Sequence, residues 1–413
     1  MPVRVLALAL ATVLVGSRAV AHAGPLTLAD ALAAAHVESP ALAAARADVE
    51  AARGRRAQVG VPLVANPVLT LDGAHHAVGP DAYFDRDVML GQEFEIGGQR
   101  GLRIAAADHD VQSAELKLAD RRRTLDADVW KAWVELVAAD RRRAVALEEQ
   151  RLTARLAEIA RQRARTGDAS GLDVTLATVE SGRAAQALAD ADTQRDKAAQ
   201  ALADAIGGPG GTAVAALDDA HVPPAPAPAD ALVARALATR PDLLAAREER
   251  ARLDGEADVS YREGVVPNVV LRGFYRRELA NERTAGGEVE LPLPTWNRQE
   301  GTTAALRAQA LGAGAEVTRL GRSIPREVET ARTRLVTARA TWQRLSSETL
   351  PAAAQALELL QRGYAAGYLA LPDVLVQQQR LLDTRRDAIG AWTELREAEA
   401  DLAAAVGGED VAE

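Results

Sequence analysis

The feature that most constrains this chain is a helical pattern that continues unbroken for more than sixty residues. It follows a short alternating segment that ends at Gly97-Gly98, and it runs from about Gln99 to about Thr166. At 1.5 Å per residue such a helix is roughly 100 Å long, several times the width of a compact domain. No single globular core covers it. We therefore expect its apolar stripe to be buried by equally long helices, from the same chain or from further copies.

The same order of segments occurs twice, about 200 residues apart. ADALAAAHVESPAL returns as ADALVARALATRPDL, ALADAIGG returns as DLAAAVGG, and TGDASGLDV matches AGYLALPDV. Three matches in one register indicate an internal duplication. We expect repeats at 24–208 and 229–413, joined by a Pro/Ala-rich linker at 209–228 that cannot continue a helix.

Each repeat is expected to contain a helix, a strand hairpin, the long helix and a final helix. The last helix of the chain has apolar residues at every seventh position, which is typical of coiled-coil packing. The expected bounds, in chain order, are 27–58, 66–97, 99–166 and 172–206 in the first repeat, and 229–262, 267–294, 299–366 and 372–406 in the second.

The strand segments alternate apolar and polar residues, so each has one apolar and one charged face. The apolar face is expected to hold Leu69, Leu71, Leu90, Phe94, Ile96, Val269, Leu271, Tyr275, Val289, Leu291 and Leu293. The charged face is expected to hold Thr70, Asp72, Glu93, Glu95, Arg272, Arg276, Glu288 and Glu290.

Such strands need partners, because four of them leave open edges and an apolar surface in water. About ten tilted residues also span a bilayer, where only a closed barrel satisfies the backbone hydrogen-bonding groups. Four strands are too few to close a barrel. Three copies with twelve strands are therefore the simplest arrangement.

The first 23 residues have the pattern of a secretory signal, with Arg4 before an apolar run and a small-residue cleavage site at Ala21-His22-Ala23. Loss of Arg4 and Arg18 takes the net charge from −9 to −11, which argues against a nucleic-acid partner. The chain has no cysteine, so disulfides and thiolate metal sites are excluded. Since no nucleophile motif, phosphate loop or ligand cluster is found, we expect neither an enzyme nor a cofactor.

One pair of histidines, His75-His76, lies near Asp72, Asp81, Asp85 and Asp87 and could suggest a metal site. An exposed hairpin loop explains the same residues, and adjacent side chains of a strand point in opposite directions. We therefore expect no resident metal there.

Three motifs resemble a known family, the TolC-like outer-membrane efflux factors. They are EIGGQR after a strand, LPLPTWNRQEG at its counterpart, and ETLPAAAQALELLQRGYAAGYLALPDVLVQQQRLLDTRRDAI. The resemblance covers nearly the whole mature chain. The GGQR and PLPTWNRQ forms are most similar to the branch that serves heavy-metal resistance pumps of the cobalt-zinc-cadmium (CzcC) type.

The resemblance implies a mainly α fold with a small membrane β portion. Three copies of the duplicated helix–hairpin–long helix–helix unit would form a 12-stranded β-barrel, continued by a periplasmic α-helical barrel. It also implies that the protein is an outer-membrane channel that conducts its substrate without catalysing a reaction. Its implied partners are a periplasmic adaptor protein and an inner-membrane transporter of the resistance-nodulation-division (RND) class.

The resemblance further implies that the two helical hairpin tips, at about 166–173 and 364–373, form the periplasmic entrance. The candidate gate residues are Asp373, Asp173, Tyr364, Gly367, Gly167 and Asp168. A second gate aspartate would fall at Val376 and a lock arginine at Leu369, so the closing contacts depart from the family pattern. An acidic residue near a helix start also has a simpler explanation, because it complements the helix dipole.

The strand-to-helix junctions and the charged strand face provide the other candidate residues. Glycine supplies the unusual backbone angles that a sharp strand-to-helix junction needs. The junction candidates are Gly97, Gly98, Arg100, Pro292, Pro294, Asn297 and Arg298. Arg272 and Arg276 share the parity of the charged face, so we expect them to face the lumen of the barrel.

Other functions are open at this point. The same kind of channel could export drugs, solvents or secreted polypeptides instead of metal cations. A soluble periplasmic coiled-coil scaffold belongs to a different class, but it has no need for exposed alternating strands.

Overall fold

The computed structural model describes residues 26–78, 81–167, 169–208, 223–278, 282–365, 368 and 371–408. The expected signal segment and most of the linker lie outside these residues. The expected first repeat, 24–208, contains α1 (Leu28–Glu38), α2 (Pro40–Val59), β1 (Val68–Val78), β2 (Asp81–Phe94), α3 (Gln99–Thr166) and α4 (Gly171–Ile206). The second contains α5 (Ala229–Thr239), α6 (Pro241–Val265), β3 (Val269–Arg277), β4 (Arg283–Glu290), α7 (Glu300–Arg344), α8 (Leu350–Ala365) and α9 (Leu371–Val406).

The long helix of the first repeat is confirmed, since α3 runs for 68 residues without interruption. Its counterpart has nearly the expected extent but is divided into α7 and α8 by a π-helical turn at Leu345–Thr349. Pro351, the second residue after this turn, has no N–H to donate within the helix.

The prediction of a single first helix in each repeat is wrong, because each of these segments forms two helices. The breaks lie at Ser39, between α1 and α2, and at Arg240, between α5 and α6. Both residues have extended backbone angles, with ψ of 118° and 121°. Each precedes a proline, and the proline ring excludes the helical conformation from the residue before it.

The four strands form one antiparallel sheet in the order β1-β2-β3-β4, so β2 and β3 join the two repeats. The two expected faces are present. Leu69 pairs with Leu90, and both are exposed, at 61% and 56% of their surface. Arg272 pairs with Glu288 on the opposite face.

Two boundaries of the sheet differ from expectation. β4 ends at Glu290, so Leu291 and Leu293 lie beyond the strand, because Pro292 and Pro294 cannot donate to a strand ladder. β2 likewise ends at Phe94, before Glu95 and Ile96. The hairpin at the other end is longer than expected: His75 and His76 lie in β1, and Asp85 and Asp87 lie in β2. The loop explanation for these residues is therefore wrong.

The helices pack side by side along α3. Near the sheet the order is α2-α3-α6-α7, and farther away it is α4-α3-α9-α7. The main core lies where these rows meet, around the fully buried side chains of Trp133, Trp392, Leu136, Leu202 and Leu395. The seven-residue repeat of α9 is confirmed there by the burial of Leu381, Ala388, Leu395 and Leu402. The predicted class, mainly helical with a small sheet, is confirmed.

Across the described residues, we find no helix with the length and apolar content that a membrane span requires.

Candidate functional site

The charged face of the sheet is held together by ion pairs between neighbouring strands. Arg272 of β3 binds Glu288 of β4 at 2.7 Å and also contacts Glu290. Arg276 of β3 binds Asp87 of β2 at 3.0 Å. Each guanidinium therefore bridges two strands, and both arginines lie on the face expected for them.

The opposite face of the sheet is apolar and exposed. Val88, Leu90, Leu271, Tyr275 and Val289 all expose more than two fifths of their surface. An exposed apolar patch of this kind marks a surface that contacts protein or lipid.

The first strand-to-helix junction is built around Gln99, which the sequence interpretation did not single out. Gly98 has φ of +77°, a left-handed conformation that suits glycine, and it caps the start of α3. A Cβ at Gly97 would approach the side chains of Gln99 and Val266 to 2.9 Å. The Gln99 side chain is fully buried and donates to the carbonyl of Val266 at 2.7 Å. The junction is thus a close-packed joint between the repeats.

Arg100 secures the end of α2 to this joint. Its guanidinium donates to the carbonyl of Gly60 at 2.6 Å and to that of Val61 at 3.1 Å. One turn later Arg103 contacts the largely buried carboxylate of Glu95. These bonds fix α2, β2 and α3 relative to each other.

The second junction uses a different arrangement. Gln299, at the start of α7, has φ of +56°, and its amide donates to the Asn297 side chain at 3.2 Å. Arg298 donates to the carbonyl of Pro294 at 3.1 Å. A Cβ at Gly264 would overlap the Arg298 carbonyl, so α6 packs backbone to backbone against this turn. Pro292 and Pro294 lie between the end of β4 and the turn.

At the first hairpin tip, α3 ends at Gly167, which has φ of +84°. Asp173 forms a capping box with Ser170: its carboxylate accepts from the Ser170 amide at 2.9 Å and from the hydroxyl at 2.8 Å. These hydrogen bonds, that from the backbone amide above all, hold the pKa of Asp173 below its ordinary value. The residue therefore has the structural role of a helix cap.

The second tip is described only in part. Asp168, Gly367 and Leu369 lie outside the described residues, as do the side chains of Tyr364 and Asp373. Val376 is described and is 53% exposed. A gate role for the tip residues stays a prediction.

Above the tips, two adjacent ion pairs join the hairpins. Arg385 binds Glu148 and Arg386 binds Glu149, both at 2.7 Å, so α9 is linked to α3. Burial raises the pKa of Glu149, and this effect outweighs the opposing attraction of Arg386. The partners are 237 positions apart in sequence, so sequence reasoning offered no signal for these pairs.

No group of three or more His, Asp or Glu side chains with the geometry of a metal site occurs within the described ranges.

Comparison with known proteins agrees with this description. The family described as "Outer membrane efflux protein" matches residues 31–208 and 232–408. The cobalt-zinc-cadmium resistance protein CzcC of Cupriavidus metallidurans is 28% identical over 370 residues, which cover 89% of this chain and 87% of CzcC.

Solved structures share the fold. The outer membrane protein VceC of Vibrio cholerae has a TM-score of 0.73 at 20% identity, covering 92% of this chain and 96% of VceC. The CmeC outer membrane channel of Campylobacter jejuni has a TM-score of 0.76 at 15% identity, covering 93% of this chain and 87% of CmeC. The resemblance inferred from the motifs is confirmed: this chain belongs to the outer membrane efflux protein family, whose members are channels and not enzymes.

Proposed function

We propose that this protein is the outer-membrane channel of a tripartite pump that exports heavy-metal cations such as cobalt, zinc and cadmium. The observation that carries the proposal is the similarity to CzcC, which extends over nearly the full length of both chains. A channel of this class passes its substrate without chemical change, so ion choice rests on the charges that line the passage.

The charged face of the sheet supports a cationic substrate. Its described ionisable side chains are six carboxylates and two guanidinium groups, an excess of four negative charges per chain. A passage lined with one sign of charge concentrates ions of the opposite sign. The carboxylates are Asp72, Asp85, Asp87, Glu93, Glu288 and Glu290, and the guanidinium groups are those of Arg272 and Arg276.

We propose a trimer as the working form. Within the described part of the chain, the sheet has free edges at β1 and β4, and the helical row next to it ends at α2 and α7. Three copies supply twelve strands, enough to close a barrel in the outer-membrane lipid. A periplasmic adaptor and an inner-membrane RND transporter would deliver the substrate to the hairpin tips, where Asp173 and Asp373 are the proposed cation-selecting residues.

The processing and domain organisation belong to the same proposal. Residues 1–23 would be removed on export, and repeats 24–208 and 229–413 would be joined by the linker 209–228. The family match falls in two parts of similar length, which supports the duplication.

A deletion strain tests the substrate. We expect it to lose tolerance to zinc, cobalt or cadmium, and to regain it when the wild-type gene is supplied. Copper and a panel of drugs and solvents are assayed in parallel. Unchanged metal tolerance combined with greater drug or solvent sensitivity would refute the metal proposal and support the alternative cargo.

A further inference from the structure

One edge of the molecule presents a row of arginines. Arg319, Arg322 and Arg326 of α7 line a shallow groove together with Ala315 and Thr318. Arg319 is paired with Glu316 at 2.6 Å. Arg322 and Arg326 are exposed, and within the described part of the chain neither has an ion-pair or hydrogen-bond partner.

This arginine row points away from the rest of its own chain. The opposite side of α7 packs against α6, where the hydroxyls of Thr303 and Ser260 lie 3.0 Å apart in the interior. Successive helical residues are rotated by about 100°, which sets Arg319, Arg322 and Arg326 on the face turned away from α6. Since α7 ends the helical row, that face is an outer edge.

The other edge of the molecule carries unpaired acids. Glu38, at the end of α1, lies against the end of α4, where a Cβ at Gly208 would overlap its carboxylate. Asp204 is exposed in the last turn of α4. Neither carboxylate has a partner among the residues described. The last turn of α4 contains no basic residue, so the negative end of its helix dipole adds to these charges.

The two edges carry these charges at the same height above the sheet. Arg322 is 22 residues from the start of α7 at Glu300, a rise of roughly 33 Å. On the other edge, Pro40 is 19 residues from the end of α2 at Val59, a rise of roughly 29 Å. His36 pairs with Asp126, which is 27 residues along α3, or roughly 40 Å. Glu38 lies between His36 and Pro40 in sequence, so its height above the sheet lies between roughly 29 and 40 Å.

We propose that Arg322 and Arg326 of one copy face Glu38 and Asp204 of the next copy in the assembled ring. The proposal rests on the trimer proposed above and identifies the charged contact that orients neighbouring copies. Head-to-tail contact brings opposite charges together, and it generates a ring when the rotation between successive copies closes. Pairing of two α7 edges would instead place arginines against arginines, so the same charges disfavour a two-fold dimer.

Cross-linking tests the contact directly, because the chain has no cysteine of its own. The variant Arg322→Cys with Asp204→Cys, purified in detergent and treated with a short bis-maleimide, should give covalent dimers and trimers on a denaturing gel. Each single variant should remain at monomer size. The matched control is Arg121→Cys with Asp204→Cys: Arg121 is exposed at the same height on α3 but has helices of its own chain on both sides. This control variant should give no covalent dimers or trimers.

Charge reversal tests the energetics. Arg322→Glu should lower the temperature at which the trimer dissociates, and Arg322→Glu combined with Asp204→Arg should recover most of the loss. The contact is refuted, and the trimer retained, if the wild-type protein is a trimer but the cysteine pair gives no cross-linked species and the Arg322→Glu trimer dissociates at the wild-type temperature. If wild type itself is a monomer, the contact and the proposed assembly are both refuted.

Discussion

The side-chain amide of Gln99 donates a hydrogen bond to the carbonyl oxygen of Val266 at 2.7 Å, and so ties the start of α3 to the chain just after α6. The Oε1 atom of the same side chain accepts from the amide of Gly97 at 2.8 Å. One fully buried side chain therefore supplies partners to backbone groups of both repeats. Buried backbone groups need such partners, and losing them is costly.

Replacing Gln99 with Leu should lower the free energy of unfolding by about 2–4 kcal/mol, because two backbone groups lose a buried partner. Chemical unfolding in detergent, followed by circular dichroism, measures the change. The matched control is Gln299→Leu at the equivalent junction, where the side chain is half-buried and accepts from Thr302. It should cost less than about 1 kcal/mol. Equal losses in the two variants would contradict the role assigned to Gln99.

The Gly264 backbone leaves no room for a side chain. A Cβ there would overlap the carbonyl oxygen of Arg298, which cannot move without opening the turn before α7. Gly264→Ala should therefore destabilise the protein by more than about 2 kcal/mol. In contrast, Gly390→Ala should stabilise it by about 0.5–1 kcal/mol, because no atom lies within 4 Å of the added methyl group and alanine favours the helix. Thermal unfolding of both variants checks this, and a Gly264→Ala protein as stable as wild type would be the contrary result.

The capping bonds of Asp173 make the start of α4 sensitive to acid. Because its pKa is lowered in the folded protein, its contribution is present while the carboxylate is ionised, above the usual Asp value of about 4. That contribution is lost as the pH falls through the lowered pKa. Hydrogen exchange of the first turn of α4, corrected for the intrinsic rate, should accelerate in this acidic range.

The Asp173→Ala variant provides the comparison. Its first turn should exchange faster at neutral pH and should show no further acceleration on acidification. If the acid-induced change persists in Asp173→Ala, another group causes it.

The charges of the strand face should control ion preference. Glu288→Gln with Glu290→Gln removes two carboxylates per chain and leaves Arg272 without the acids that it contacts on β4. The cation-to-anion permeability ratio, measured from reversal potentials in planar bilayers under a KCl gradient, should fall by roughly two- to tenfold. The control Arg272→Gln with Glu288→Gln keeps the net charge and should change the ratio much less. An unchanged ratio in the first variant would mean that this face does not line the passage.

Periodicity was sufficient to predict the long helix α3 and the two faces of the sheet. Alternation correctly separated Leu69 and Leu90 from Arg272 and Glu288, because the period of a strand is fixed by its backbone. The breaks before Pro40 and Pro241 were also encoded locally, in the effect of proline on the preceding residue. The interpretation missed them because apolar residues recur at helical spacing across both prolines.

The contacts that join distant segments could not be predicted in this way. In the sequence, Gln99 is not distinguishable from any other polar residue at the start of a helix. Its contact with Val266 forms only in the folded chain. The same holds for Arg386 and Glu149, because nothing in the sequence of α3 selects a partner on α9. Residue types and spacing constrain local conformation, whereas these pairs depend on how the hairpins pack.

We propose that copies of this chain complete a closed tube, since among the described residues the sheet ends in open strands at β1 and β4 and the helical row ends at α2 and α7. Native mass spectrometry of the mature protein, extracted from the outer membrane in detergent, tests it most directly. We expect a complex of three copies. A monomer that stays in solution without detergent would contradict it.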